Sequence, residues 1–494
     1  MKKKYIFTKN NFKKKSSLLK NKIIGLCHGA FDVLHLGHIR HFEEAKKICD
    51  ILIVSVTADK FIKKGPNQPL FSIQDRAETL LAIEYVDYVY ISNSPTGVNS
   101  INFFKPNFYI KGIDYVEKKK DLNLLKEKNA CVKNGTKLYF TKTKKFSSTK
   151  IINNTVNRYS LEKMSIIKKI NQKYSLEDIF KIFELAKTKN FAITGEPILD
   201  EYRFVDVIGT ATKSPIITSN YKNKEVHLGG SLAGAIMLSE FVKKVLYLLP
   251  INNKIKLPKF NLNIKKIFFN TNFKVPRKIR YLTKVRKNKI FQTNIIKNFN
   301  PSKKAYKIYL KNINLFQKKY PFIMLDFGIG LFETSIANKI FSSKFFLNVQ
   351  TNSNNYGFNY FSRYKKFSYL SINLKEFELN FGKKISNYYE IKNFVDLMPS
   401  LPFSITLGNK GSVFVNKKKQ IIYCPSFFSN VVDTTGCGDA YLIITSILVN
   451  LGFDDEIVPF IGNCFAGLHS QNFGNSKFPT KNELLNFLKL ILNV

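Results

Sequence analysis

Short apolar runs alternate with segments of helical period over the first third of the chain. Lys22–Cys27 reads as a strand, followed by Gly29 and a helical pattern over His38–Cys49. Ile51–Val56 reads as a buried strand, Ser72–Ile83 as a helix, Tyr88–Ile91 as a strand and Val98–Phe104 as a helix. Phe108–Lys111 and Leu138–Phe140 are the later strands. Strands alternating with helices predict a parallel, doubly wound α/β sheet. This first domain is expected to span 22–154, after a basic tail over 1–21 that should be poorly ordered.

From Arg158 to Lys189 the chain is polar, helical in period and free of Gly and Pro, which predicts a helical connector over 155–189. Phe191–Ile193 then opens a second α/β domain over 190–494. Inside it, Phe241–Leu325 holds no Asp or Glu while Lys and Arg are dense. Strand-like alternation persists over Thr271–Asn294. The stretch is therefore expected to be folded, with β-rich pieces and lysine-rich loops.

With 494 residues, 44% of them hydrophobic and 23% charged, the composition is that of a globular chain of two or three domains. It excludes a disordered, collagenous or disulfide-dense protein. The six cysteines form no C-x-x-C pair, which argues against a zinc site and for a reducing compartment. No apolar run approaches the roughly 18 residues of a membrane span, and the basic start lacks the apolar core of a secretory signal. A cytoplasmic protein with no membrane insertion is expected. The formal charge of +44 (79 basic minus 35 acidic residues) would suit a polyanion. The lysines are spread over the whole chain, however, and accompany abundant Asn, Ile, Phe and Tyr, as compositional drift would produce. Nucleic acid is not the expected partner.

The segment Gly29-Ala30-Phe31-Asp32-Val33-Leu34-His35-Leu36-Gly37-His38 lies between the first strand and the first helix. Ligands of open α/β sheets bind at the carboxyl ends of strands, where a helix start presents N–H groups to phosphate. His35 and His38 can both face such a site and donate hydrogen bonds as charge builds on a leaving pyrophosphate. A bare H-x-G-H is equally explained by histidines packing a helix start. The surrounding residues add specificity: the segment resembles the G-x-F-D-x-x-H-x-G-H signature of cytidylyltransferase-like nucleotidyltransferases, Rossmann-like in fold. That resemblance implies catalytic roles for His35 and His38 and nucleotide contacts from Ala30, Phe31, Lys63, Lys64, Arg76, Lys111, Asp114, Ser147, Ser148 and Thr149. It also implies nucleotidyl transfer from ATP or CTP to a phosphorylated alcohol or sugar, with Mg²⁺ on the triphosphate and no separate protein metal site.

Near the other end lies Asp433-Thr434-Thr435-Gly436-Cys437-Gly438-Asp439-Ala440. Two glycines around a small residue before a helix offer backbone N–H groups to a transferring phosphoryl group, and an aspartate there can take a proton from an attacking hydroxyl. The run resembles the D-T-x-G-A-G-D signature of ribokinase-like (PfkB) carbohydrate kinases. The resemblance implies Asp439 as catalytic base, Gly436, Cys437 and Gly438 as the anion hole, and Thr406, Gly408, Gly411, Asp433, Thr435 and Asn463 around ATP. It implies Asp200, Gly229 and Gly230 at the sugar. Pro276 and Lys278-Ile279-Arg280 loosely resemble a P-x-x-x-K-x-R element.

Departures fall on the acceptor side. Glu196 stands where Asp is common, Ile329 replaces the Lys of a D-Y-G-K-G turn, and Ser231 follows Gly229-Gly230 in place of the usual Asn. Together the two signatures resemble bifunctional heptose 7-phosphate kinase/heptose 1-phosphate adenylyltransferases with the domain order reversed. The expected function is synthesis of a nucleotide-activated, heptose-like sugar for a cell-surface glycan such as lipopolysaccharide, from a nucleoside triphosphate and a sugar phosphate. The alternative is a polyol-phosphate cytidylyltransferase with a divergent or inactive kinase domain. Ribokinase-like proteins often dimerise, and a homodimer is considered on that analogy alone.

Overall fold

The computed structural model describes residues 5–7, 19–62, 69–112, 122–142, 160–251, 263–271, 273–284, 287–297, 302–332, 345–353, 355–428 and 431–492. The chain divides into two compact units, Met1–Arg158 and Tyr159–Asn493.

The first unit is built on six parallel strands: β1 (Tyr5–Phe7), β2 (Ile24–Gly29), β3 (Ile51–Thr57), β4 (Tyr88–Ser92), β5 (Phe108–Gly112) and β6 (Lys137–Thr141). Their order is β1-β4-β3-β2-β5-β6. Helices α1 (Leu36–Lys46), α2 (Ile73–Ala82), α3 (Val98–Phe104) and α4 (Leu122–Lys133) connect them. β3 is buried at every position, as expected of a strand covered on both faces. From β2 the chain steps to β3 and β4, then crosses back to β5 on the other side of β2. The strand order therefore reverses at β2, and the loop leaving β2 opens at that crevice.

The expectation of a disordered basic tail is corrected at Tyr5–Phe7. These residues form an edge strand on β4, and Phe7 is fully buried with its ring 4.8 Å from that of Tyr88. The apolar pair Ile6-Phe7 covers the open edge of β4, and this burial outweighs the lysines before it.

The second unit carries a nine-stranded sheet of β7 (Asn190–Gly195), β10 (Lys244–Leu249), β11 (Ile264–Phe268), β14 (Phe322–Asp326), β15 (Phe345–Val349), β16 (Tyr369–Asn373), β17 (Phe403–Thr406), β18 (Ser412–Val415) and β19 (Ile421–Cys424). Its order is β11-β10-β7-β14-β15-β16-β17-β18-β19, with every pairing parallel except β17–β18 and β18–β19, so that β18 alone of these strands runs against the others. A separate four-stranded sheet, β13-β12-β8-β9, is made of β8 (Pro197–Thr210), β9 (Ile217–Gly230), β12 (Arg277–Thr283) and β13 (Lys289–Ile295). The chain leaves β7 and enters β8 within one residue, at Glu196.

Helices α7 (Ser231–Ser239), α8 (Lys303–Lys319), α9 (Leu374–Phe381), α10 (Cys437–Asn450), α11 (Ile457–Ser470) and α12 (Lys481–Leu492) complete the described part of this unit. They are preceded in the chain by a helix at Leu161–Lys173 and one at Leu176–Ala186. These two divide the predicted connector at Tyr174-Ser175, where Ser175 and Asp178 form a capping box. They belong to the second unit: Asn171 donates to the carbonyl of Leu492 (3.0 Å), and Lys481 pairs with Glu184 (2.9 Å). The described residues of the acid-free stretch are folded, and besides strands they contain α8, which was not foreseen. Tyr306, Tyr309, Ile313 and Gln317 form the buried stripe of that helix, a 3.6-residue period masked by the lysines between.

Candidate active sites

The first site stands on the loop between β2 and α1. His35 is the N-cap of α1, with extended backbone, and its carbonyl accepts the His38 N–H at 2.8 Å. That turn stacks the two imidazoles, with ring centroids 3.9 Å apart and planes at 19°. Burial lowers the His35 pKa, so the ring is a neutral imidazole at neutral pH. Phe31 closes the other side, its ring edge-on to His38 at 5.4 Å and its backbone in the left-handed region (φ 47°). Gly29 makes this fold-back feasible, because a Cβ there would stand 3.0 Å from the Phe31 ring.

Two side chains hold the loop from behind. Arg76 is fully buried and donates to the carbonyls of Ala30, Phe71 (3.1 Å) and Thr57 (2.9 Å), and it pairs with Asp59 (2.5 Å). Arg76, expected at the nucleotide, places four of its five guanidinium N–H donors on these protein acceptors. Asp32, which the sequence reading did not single out, accepts the backbone N–H groups of Leu70 (2.8 Å) and Phe71 (3.1 Å). Its place within the F-D pair was the available signal. Lys111 is likewise buried and lies 2.9 Å from Glu127. Lys63, Lys64, Asp114, Ser147, Ser148 and Thr149 lie outside the described residues.

The second site lies at the carboxyl ends of β15, β16 and β17 and the start of α10. A cavity of about 810 Å³ is lined by Gln350, Glu376, Thr406, Gly408, Gly411, Gly436, Cys437, Gly438, Asp439 and Asn463, among others. Most of the expected nucleotide and anion-hole residues thus meet around one space. Gly436 has φ 81°, and a Cβ there would come within 2.6 Å of Asn475. The start of α10 leaves N–H groups without helical acceptors. That of Cys437 donates to Thr434 (3.2 Å), so Gly438 and Asp439 carry the donors of that turn toward an anion.

Asp439 is buried and accepts from Gln350 Nε2 at 2.6 Å. Burial pushes its pKa up to about 7; Lys278 pulls it down and Asp200 pushes it up. A carboxyl poised there suits a general base. Burial raises the Cys437 thiol to about 12, which makes it a small packing residue and not a thiolate. Asp433 would be raised by burial, but Lys289 and the Thr435 donors outweigh that and hold it below the usual range. Asn463 reaches the carbonyls of Cys424 (2.8 Å) and Pro425 (3.3 Å), so its amide shapes the cavity wall.

On the acceptor side, Asp200 is paired with Arg280 at 2.6 Å. Gly229 leaves the room this carboxylate occupies, since a Cβ would stand 2.2 Å from Asp200 Oδ2. Gly230 (φ 58°) turns the chain where a Cβ would strike the Glu196 carbonyl. Glu196 itself is fully buried and accepts the N–H groups of Phe327 (2.5 Å), Ile329 (2.8 Å) and Leu331 (3.1 Å). The acid thus pins the Asp326–Gly330 turn to the pivot between the two sheets. Ser231 turns its hydroxyl to Gly195 (2.9 Å) and Tyr247 (2.7 Å), into the core.

Glu376 was missed in the sequence. It caps α9 reciprocally with Asn373, lines the cavity, and burial raises it to about 7. The Asn373-x-x-Glu376 spacing was its signal. Among the described residues no group of three or more His, Cys, Asp or Glu could hold a metal ion. Oxygen donors do line the cavity, namely Glu376 and the buried Asn348 Oδ1, which has no hydrogen-bond partner among the described residues. That donor set fits a Mg²⁺ carried mainly by a triphosphate and water. Among the described residues no helix is long and apolar enough to cross a membrane.

Comparison with known proteins matches residues 26–154 to the cytidylyltransferase-like family and residues 346–443 to the pfkB family of carbohydrate kinases. The curated relatives include the bifunctional protein HldE of Campylobacter fetus, 40% identical over 126 residues (22% of this chain, 28% of that protein). HldE of Syntrophotalea carbinolica is 35% identical over 98 residues (19% and 20%). The chain spans about a fifth to a quarter of the length of these relatives. Among solved structures, Thermotoga maritima ribokinase (TM-score 0.46, 19% identity) covers 61% of this chain over 99% of its own. Escherichia coli phosphofructokinase-2 (TM-score 0.48, 10% identity) covers 62% over 99%. The two family matches place a cytidylyltransferase-like domain in the first unit and a pfkB-type carbohydrate kinase match in the second.

Proposed function

We propose that the protein is a bifunctional enzyme that phosphorylates a heptose-like sugar phosphate and joins the sugar 1-phosphate to a nucleotide with release of pyrophosphate. The observation that carries this reading is two separate phosphate-handling loops on one chain. One holds the stacked His35 and His38 at the crevice of the first unit. The other holds Gly436–Gly438 and the buried Asp439 around the cavity of the second.

In the first site, imidazole N–H groups of His35 and His38 would stabilise charge on the α-phosphate and the leaving pyrophosphate. In the second, Asp200 would hold the acceptor, Asp439 would take its hydroxyl proton, and the N–H groups of the α10 start would meet the γ-phosphoryl oxygens. Glu376 and Asn348 would hold Mg²⁺ with the triphosphate, and the ion would neutralise its charge.

A second reading is favoured by Ser231, whose hydroxyl faces the core where an acceptor-binding amide is expected. On it, the first domain is a polyol-phosphate cytidylyltransferase and the kinase domain takes another sugar or none. Pyrophosphate release with Mg²⁺, heptose 1-phosphate or glycerol 3-phosphate, each against ATP and CTP, separates the two. Release with the heptose and ATP is expected. Release only with CTP and glycerol 3-phosphate selects the second reading, and no release with any pair sinks both. With an active pair in hand, His38→Ala should abolish pyrophosphate release and spare phosphorylation, and Asp439→Asn should do the reverse.

A further inference from the structure

Lys278 sits on β12, in register with Asp200 on β8 and Asn294 on β13. Its half-buried ammonium faces the carboxylates of Asp200, Asp439 and Glu196 and the guanidinium of Arg280, with the Phe327 ring centroid at 5.9 Å. Among the described residues none of those carboxylates comes within ion-pair distance, 4 Å, of Lys278 Nζ. Each is committed elsewhere: Asp200 to Arg280, Asp439 to Gln350 and Glu196 to three backbone N–H groups.

A cation taken out of water and left without a contact partner is costly, and desolvation already lowers the Lys278 pKa. The acids around it oppose that lowering without saturating its three N–H donors. Those donors can take a compact anion near the carboxylate proposed to hold the acceptor and the one proposed to take its proton. On the kinase reading a transferring phosphoryl group is such an anion.

We infer that Lys278 is a catalytic residue of the second site, its ammonium contacting the phosphoryl group in flight between a nucleoside triphosphate and the acceptor hydroxyl. The inference rests on the kinase reading above. The acceptor O–H bond breaks and its proton passes to Asp439, while the oxygen forms a bond to the γ-phosphorus. The bond from that phosphorus to the β–γ bridging oxygen breaks, and the nucleoside diphosphate leaves with the electron pair. Lys278 meets the negative charge of the three equatorial oxygens alongside the α10 N–H groups. It has a second effect on the same step. Asp439 is faced by Lys278 from β12, Asp200 from β8, Glu376 from α9, Cys437 from its own helix and the neutral Gln350 after β15. Lys278 is the cation of that set, so it favours the ionised base.

The test compares wild type, Asp439→Asn, Lys278→Met and Lys278→Arg in full-length protein. It measures nucleoside diphosphate formation with a panel of sugar phosphates across pH 6–9, and folding by thermal melting. For Lys278→Met, kcat should fall by about 10²–10³ while the nucleotide KM moves less than about threefold. Its residual activity should titrate at higher pH than wild type, and Lys278→Arg should recover at least about tenfold of the loss. If wild type is active and Asp439→Asn is not, but Lys278→Met keeps wild-type kcat or loses only KM, the inference is overturned and the kinase reading stands. If wild type is no better than Asp439→Asn, the kinase reading fails first. A Lys278→Met loss that tracks a lowered melting temperature and is not recovered by Lys278→Arg makes the residue structural and also overturns the inference.

Discussion

Lys289 Nζ lies 2.8 Å from Asp433 Oδ1, so an ion pair ties the β12–β13 hairpin of the small sheet to the loop that leads into Gly436-Cys437-Gly438. Asp433 is buried at this contact and also accepts the N–H groups of Thr435 (3.1 Å) and Gly474 (3.2 Å). The pair therefore links the small sheet to the phosphate-handling loop. Lys289 is half exposed, so the pair is screened and contributes modestly. Lys289→Met should lower kcat/KM for phosphorylation about three- to fivefold at low salt, and the gap should close as NaCl is raised. A gap independent of salt would sink this account.

Asp439 gives a pH dependence with two signs. As a base it must be ionised, so kcat/KM for phosphorylation should rise through about pH 7. For stability the folded carboxyl sits above its ordinary value of 3.8, so between pH 4 and 7 the native state binds more protons than the unfolded chain. Stability from this group is then lost as pH rises, by about 1.4 kcal/mol per unit of displacement at most. Asp439→Asn should melt higher than wild type at pH 8 and close to it near pH 4. Equal melting differences at both pH values would contradict the burial argument.

Gly229 is silent in every local sense, with no turn demanding its flexibility. Its hydrogen makes space for the Asp200 carboxylate. Gly229→Ala should displace Asp200 and break its pair with Arg280, which raises the acceptor KM at least about tenfold while nucleotide binding, measured by calorimetry, is unchanged. A normal acceptor KM would mean that Asp200 does not hold the sugar.

Arg76 should act on nucleotidyl transfer without touching the nucleotide. Arg76→Met leaves the carbonyls of Ala30, Thr57 and Phe71 without their donor and should cost about 2–3 kcal/mol of stability in the first unit. Pyrophosphate release should fall chiefly through kcat, because the loop carrying His35 and His38 loses its backing. A pure rise in nucleotide KM in a stable variant would instead make Arg76 a direct ligand.

Much of the chemistry was legible in order along the chain, because each signature is a local run. Gly29–His38 and Asp433–Asp439 each form a strand- or loop-to-helix turn whose geometry follows from neighbouring residues. Elements with a strong period were legible for the same reason: β3 is wholly apolar, and α2 begins with a Ser72–Asp75 capping box. Two readings failed, one because the deciding partner is distant in sequence and one because the period was masked. The edge strand Tyr5–Phe7 depends on β4, more than eighty residues on. Helix α8 hides its apolar stripe among lysines. Arg76 has the residue type of an anion ligand, and only the arrival of Ala30, Thr57, Phe71 and Asp59 around it shows that four of its five N–H donors go to protein acceptors.

The sequence by itself determined that the chain has two α/β units and a glycine-and-acid loop in each, since backbone turns and periodicity are properties of short segments. Tertiary structure alone decided what surrounds each charged group. Glu196 became an anchor for the 326–331 turn, Asp200 was paired with Arg280, Asp439 was raised by burial, and Lys278 was left without an ion-pair partner among the described residues. The physical reason is that desolvation and pairing depend on distances between residues up to about 240 positions apart, and residue type carries no record of those distances.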